Sequence, residues 1–174
     1  MNGRNPQSTA KIAGHPIHPI LVTLPIASFI GALGTDIGFR LTGELGWATA
    51  SNWLLGIGLV TALFAAAAGL TDYMGDDRIR RIGAATRHMI ANVTVIVIEA
   101  INLFVRLTDG SDTVPQLGLW LSIAAVLVLG YSGWLGGELV YRHRVGIQDS
   151  SDEALPSDPG LGQTQANVPR DGRR

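Results

Sequence analysis

Cysteine is absent from the chain. That excludes disulfide staples, thiolate zinc sites and cysteine-ligated iron–sulfur clusters. Charge is sparse: Asp, Glu, Lys and Arg make up 16% of the sequence, against about 25% in an ordinary soluble domain. Basic and acidic residues nearly cancel, at a formal net charge of −1, so nothing suggests a nucleic-acid partner. A cleavable signal peptide is not expected. The first eighteen residues are polar, and the apolar run behind them is long enough to span a bilayer rather than be removed.

What the sequence does contain is long apolar runs. The few charges fall in short clusters and in the tail, leaving four stretches almost free of them. Helices are predicted at about 19–40, 49–72, 88–107 and 116–141. Each has the 20 to 25 residues that cross a hydrocarbon core of about 30 Å at 1.5 Å per residue. Only helices satisfy the backbone of such continuous runs in lipid. The expected fold is therefore all-α, an integral membrane bundle of four transmembrane helices over residues 14–147. Residues 1–13 read as a mobile N-terminus. Residues 148–174, dominated by Ser, Asp, Pro, Gly and Gln, read as a disordered tail. A short amphipathic helix is expected around Ile79 and Ile82, and Pro25 should kink the first span.

With four spans, both termini and the middle loop share one side. That side carries Arg4, Lys11, Arg78, Arg80, Arg81, Arg87, Arg142 and Arg144, while the other carries Arg40 and Arg106. The positive-inside rule puts the first side in the cytoplasm of a cell whose inner membrane holds the protein. Small residues four apart, such as Ala27/Gly31, Gly34/Gly38, Ala62/Ala66 and Gly133/Gly137, let backbones approach closely. Packing within the chain is their first use and a homo-oligomer interface the alternative. Thr35-Asp36, Thr71-Asp72 and Thr108-Asp109 recur near helix ends, but their surroundings differ and establish no repeat.

The polar residues gather at the cytoplasmic end. His15 and His18 stand before the first span, Asp72 ends the second, His88 opens the third, and Glu138 and His143 close the fourth. Two His-Pro pairs make the lead-in non-helical. In polyproline geometry His15 and His18 would lie about 9 Å apart along the axis, too far to chelate one ion together. His18 and His88 are the preferred ligands for a haem iron or a divalent metal, with His15 and His143 as second choices. Asp72, Asn92 and Glu138 are candidate orienting groups. His88, Asn92 and Glu99 share one face of the third helix, and Asp36 lies on the His18 stripe five turns on. Intramembrane acids are costly, so Glu99 and Asp36 are the candidate proton relay in an alternative reading as a small proton or ion transport protein. Arg106, near a helix end, reads as a snorkelling side chain. A structural subunit of a membrane complex is the third reading. A hydrolase is the least supported, because no serine stands visibly beside a histidine and an acid.

Four pieces of the chain resemble a known family. They are Gly14-His-Pro-Ile-His-Pro-Ile-Leu-Val-Thr-Leu-Pro25, Gly69-Leu-Thr-Asp72, the Arg87-His88 to Asn92 segment, and Gly136-Gly-Glu-Leu-Val-Tyr-Arg-His143. Together they are similar to the bacterial four-helix membrane proteins grouped as domain of unknown function 2231, over roughly residues 12 to 147. The resemblance implies four membrane helices. Some relatives carry a fused Rieske iron–sulfur domain, which points to redox work and a redox partner protein. This cysteine-free chain lacks that domain.

Overall fold

Four helices long and apolar enough to cross a membrane account for most of the computed structural model, which describes residues 5–108 and 114–148. The first span divides into α1 (His18–Leu21) and α2 (Thr23–Thr42). The break falls at Val22 because Pro25 has no N–H to donate to Leu21 and its ring crowds that turn. The expected kink is thus a short interruption. Gly43 then ends α2 in a left-handed conformation, with φ 72°, a geometry that costs glycine little.

The second span, α3 (Leu45–Gly75), starts four residues before the sequence suggests. Trp47, ahead of the predicted start, lies inside it. A Cβ on Gly38 would come within 2.9 Å of the Trp47 ring, so Gly38 makes room for the indole. After α4 (Asp77–Arg80), a single turn that buries Ile79, come α5 (Gly83–Thr108) and α6 (Gln116–Gly137). A π-helical turn, Glu138–Arg142, completes the fourth span.

The N-terminal segment is hydrogen-bonded to the rest of the chain where it is described. Lys11–Ile12 (β1) and His15–Pro16 (β2) pair as a two-residue antiparallel hairpin. Its turn is Ala13 and Gly14, with φ 50° and 81°, the double left-handed geometry of a tight hairpin turn. Upstream, the Asp72 carboxylate accepts from the Ser8 hydroxyl and the N–H groups of Thr9 and Ala10 at 2.7–2.9 Å. Asp76 accepts from the Gln7 N–H at 3.0 Å. Gly146 N–H donates to Pro6 O, and the Asn5 and Gln7 amides reach Ile147 O. The segment is therefore a strap across one end of the bundle. The Arg78 guanidinium on Asp76, helped by the Gln7 and Arg78 N–H groups and opposed by burial, holds that carboxyl well below the usual range. The C-terminal tail read from the sequence lies, apart from Gln148, outside the described residues.

Neighbouring helices are α2 with α3, α3 with α5, α5 with α6 and α6 with α2, a square in which α2 and α5 face each other across the diagonal. The outside is apolar: Ile30, Leu63, Phe64, Val97, Phe104, Leu127 and Trp134 are all about half exposed or more. The inside is small, with Ala32, Ala48, Ala62, Ala65, Ala91 and Ala125 buried around Phe29, Leu55 and Val95. Small interior residues and an apolar exterior are what a bundle needs when lipid rather than water surrounds it.

The buried positions also repeat at an offset of 70 residues, 25 to 95. In the first and third spans Pro25 corresponds to Val95, Phe29 to Glu99, Ala32 to Asn102 and Asp36 to Arg106, all buried. In the second and fourth, Ala48 corresponds to Gly118, Leu55 to Ala125, Ala62 to Ser132 and Ala65 to Leu135. The residue types differ at nearly every pair, which is why no repeat is visible in the letters. The two helix pairs are nonetheless built on one register and run in the same sense.

Candidate functional site

Among the described residues, two contacts between polar side chains join the first and third spans, one at each end of the bundle. At the end where the strap lies, His18 meets His88. Their ring centres are 6.1 Å apart and their planes cross at 89°. Each ring is fixed in the same way. The His18 Nδ1–H donates to the Ala65 carbonyl at 2.8 Å, and the His88 Nδ1–H to the Ser132 carbonyl at 2.9 Å. Each ring also lies against a glycine one turn further along the same helix. A Cβ on Gly69 would come within 2.9 Å of the His18 ring, and one on Gly136 within 3.2 Å of the His88 ring. Backbone anchoring through Nδ1 leaves Nε2 as the acceptor nitrogen of both imidazoles. On His88 that nitrogen accepts from the Asn92 amide at 3.0 Å.

Of the residues singled out in the sequence, His18, His88 and Asn92 come together. His15, His143, Asp72 and Glu138 lie at the same end with other partners. His15 sits on the exposed hairpin, its Nδ1–H donating to Ala13 O at 3.0 Å. Asp72 holds the N-terminal strap rather than an imidazole. Glu138 pairs with Arg142 at 3.1 Å and stands 3.8 Å from His143. Among the described residues no group of three or more His, Asp or Glu side chains is placed to hold a metal ion.

At the opposite end, Arg106 does not snorkel outward. It is 2% exposed. Its Nη1 and Nη2 donate to the two oxygens of Asp36 at 2.8 and 2.7 Å, a two-pronged fork. The reason is its position. Arg106 lies eighteen residues past His88, as Asp36 does past His18, and eighteen residues is five whole turns at 3.6 residues per turn. Both charges therefore lie on the inward stripes of their helices. Ser51 and Ser122 donate to Asp36 at 2.5 and 2.7 Å. Arg106 Nε donates to Asn102 Oδ1 at 2.9 Å. The Asn102 amide donates to Ser122 and to Glu99 Oε2, both at 2.9 Å. All four helices thus contribute to one buried polar cluster. Gly118 leaves space for it, since a Cβ there would sit 3.0 Å from Asn102 Oδ1. Sequence reasoning named Asp36 and Glu99 but not Ser51, Ser122 or an inward Arg106. The His88, Asn92, Glu99 stripe runs on to 102 and 106, but the stripe alone does not say that an arginine near a helix end turns inward.

A four-helix membrane bundle with a polar contact at each end of one diagonal is the class this arrangement defines. The chain belongs to the DUF2231 family, described as a predicted membrane protein, whose model matches residues 14–149. No curated protein and no solved structure matches the chain.

Proposed function

We propose that the paired imidazoles of His18 and His88 bind one redox-active metal, with haem iron the best fit, and that the protein passes electrons at that end to a partner protein. The observation that carries this reading is the matched anchoring of two histidines from opposed helices. Metal-binding histidines commonly donate their other ring N–H to a carbonyl, which fixes the ring and directs the free nitrogen at the ion. With 6.1 Å between the ring centres, one ion held between the rings would be within reach of both imidazoles.

The donor set also selects among metals. Two histidines are too few for a closed protein-only zinc site, which takes four ligands. They would suffice for an iron whose remaining ligands come from a macrocycle. Such a group would supply one-electron chemistry. His18 and His88 would hold it through their ring nitrogens, oriented by Ala65 and Ser132 and packed against Gly69 and Gly136. Asn92 would turn its amide away from His88 Nε2 to free that ligand.

The end holding the pair is proposed to face the cytoplasm. Lys11, Arg78, Arg80, Arg81, Arg87, Arg142 and Arg144 lie at that end. At the other, burial of Arg106 in its ion pair leaves only Arg40 as a described accessible cation, which sharpens the asymmetry the positive-inside rule reads. The test is the absorption spectrum, with metal analysis, of the detergent-purified protein prepared with haem and metals supplied. A Soret band that shifts on reduction and disappears in His18→Ala or His88→Ala is expected. A colourless, metal-free preparation refutes the reading.

A further inference from the structure

The cluster at the Arg106 end leaves one carboxyl oxygen out. Glu99 is 0% exposed. Its Oε2 accepts from Asn102 at 2.9 Å, while its Oε1 is buried and has no hydrogen-bond partner among the described residues. Nothing in the cluster is free to serve it. The Arg106 nitrogens are committed to Asn102, Asp36, Ser51 and Ser122. Asp36, in turn, is paired with the arginine fork and accepts from two serine hydroxyls. The charged groups that face Glu99 are this closed pair, Arg106 on its own helix and Asp36 on α2. From α3 and α6 the cluster receives only the hydroxyls of Ser51 and Ser122.

An ionised Glu99 would therefore be a third, unbalanced charge in a water-poor interior, next to a pair already at neutrality. A carboxyl in that position needs a cation of its own, and the smallest is a proton. The geometry points to Glu99 Oε1 as a proton-binding site inside the membrane: the side chain carries an exchangeable proton on the oxygen the network leaves free. Both Asp36 oxygens, by contrast, already accept hydrogen bonds from Arg106, Ser51 and Ser122. Glu99 lies eleven residues from His88, about 16 Å at 1.5 Å per residue. The site is separate from the histidine pair, and the inference does not depend on what the histidines bind.

Infrared spectroscopy of the full-length protein in lipid vesicles tests it. A protonated-carboxyl C=O band that shifts when H2O is replaced by D2O is expected in the wild type. Glu99→Gln should lose that band and Glu138→Gln should keep it. Carbon-13 labelling of glutamate carboxyls in the unsubstituted protein should move the same band, so the assignment survives a variant that folds poorly. No such band, or a band that the glutamate label leaves in place, overturns the proposal. Thermal stabilisation by sodium ions that is abolished in Glu99→Gln also overturns it, by making the site one for a metal cation.

Discussion

Replacing Arg106 with methionine removes the cation and keeps much of the volume. The variant strands the Asp36 carboxylate, 0% exposed, with only the Ser51 and Ser122 hydroxyls as donors. It also leaves Asn102 Oδ1 without the bond from Arg106 Nε. Breaking one side of a buried ion pair costs about 3–5 kcal/mol, because the surviving charge has lost both solvent and partner. The orphaned amide oxygen adds about 1 kcal/mol. For a chain of this size about 1 kcal/mol corresponds to roughly 2–4 °C in Tm, so Arg106→Met should melt at least about 8 °C below the wild type. Asp36→Leu should cost a similar amount by stranding the guanidinium. The double variant should recover much of the loss, since replacing both members of a buried pair with apolar groups is often close to neutral. Thermal unfolding of all four proteins in one detergent supplies the double-mutant cycle. A single Arg106→Met variant that melts within a degree or two of wild type, or two losses that simply add, would falsify the account of a closed pair on the inward stripes.

The remaining predictions concern the strap end. Gly69→Ala sets a Cβ within 2.9 Å of the His18 ring and should cost about 1–3 kcal/mol by overpacking. Gly136→Ala, at 3.2 Å from His88, should cost less, and thermal unfolding ranks the two. Asp76 carries a carboxyl held below its usual range by Arg78 and the Gln7 N–H. Its contribution is complete above the unfolded value of about 3.9 and is lost as pH falls through the lower folded value. Limited pepsin digestion should accordingly find the strap still protected near pH 4 and released only in stronger acid. Asp76→Asn should expose it at both.

The spans were legible because long apolar runs have one solution in lipid, and Pro25 because a missing N–H has a local consequence. The meeting of His18 and His88 followed from helix direction and proline chemistry at the first span. The Asp36–Arg106 pair was not legible in the same way. An arginine one turn from a helix end can extend to the membrane surface or turn inward, and local sequence does not choose between them. The choice is made by where α5 sits in the square, which no window of residues contains. The partners of Asp72 were not legible for a related reason. Its spacing puts it at the histidine end, but its donors come from Ser8 to Ala10, a segment that carries no periodic pattern to announce that it folds back.

The shared register of the two helix pairs has a consequence for how the chain assembles. Position 36 in one half is an acid and its counterpart, 106, is a base. Two copies of the first half, packed across the same diagonal, would bring carboxylate against carboxylate. Two copies of the second would bring guanidinium against guanidinium. Only unlike halves close the contact without an unpaired charge in the interior. A pair of hairpins that could otherwise match themselves is thereby committed to each other, and the single ion pair tells one half from its near-twin while both lie in the bilayer.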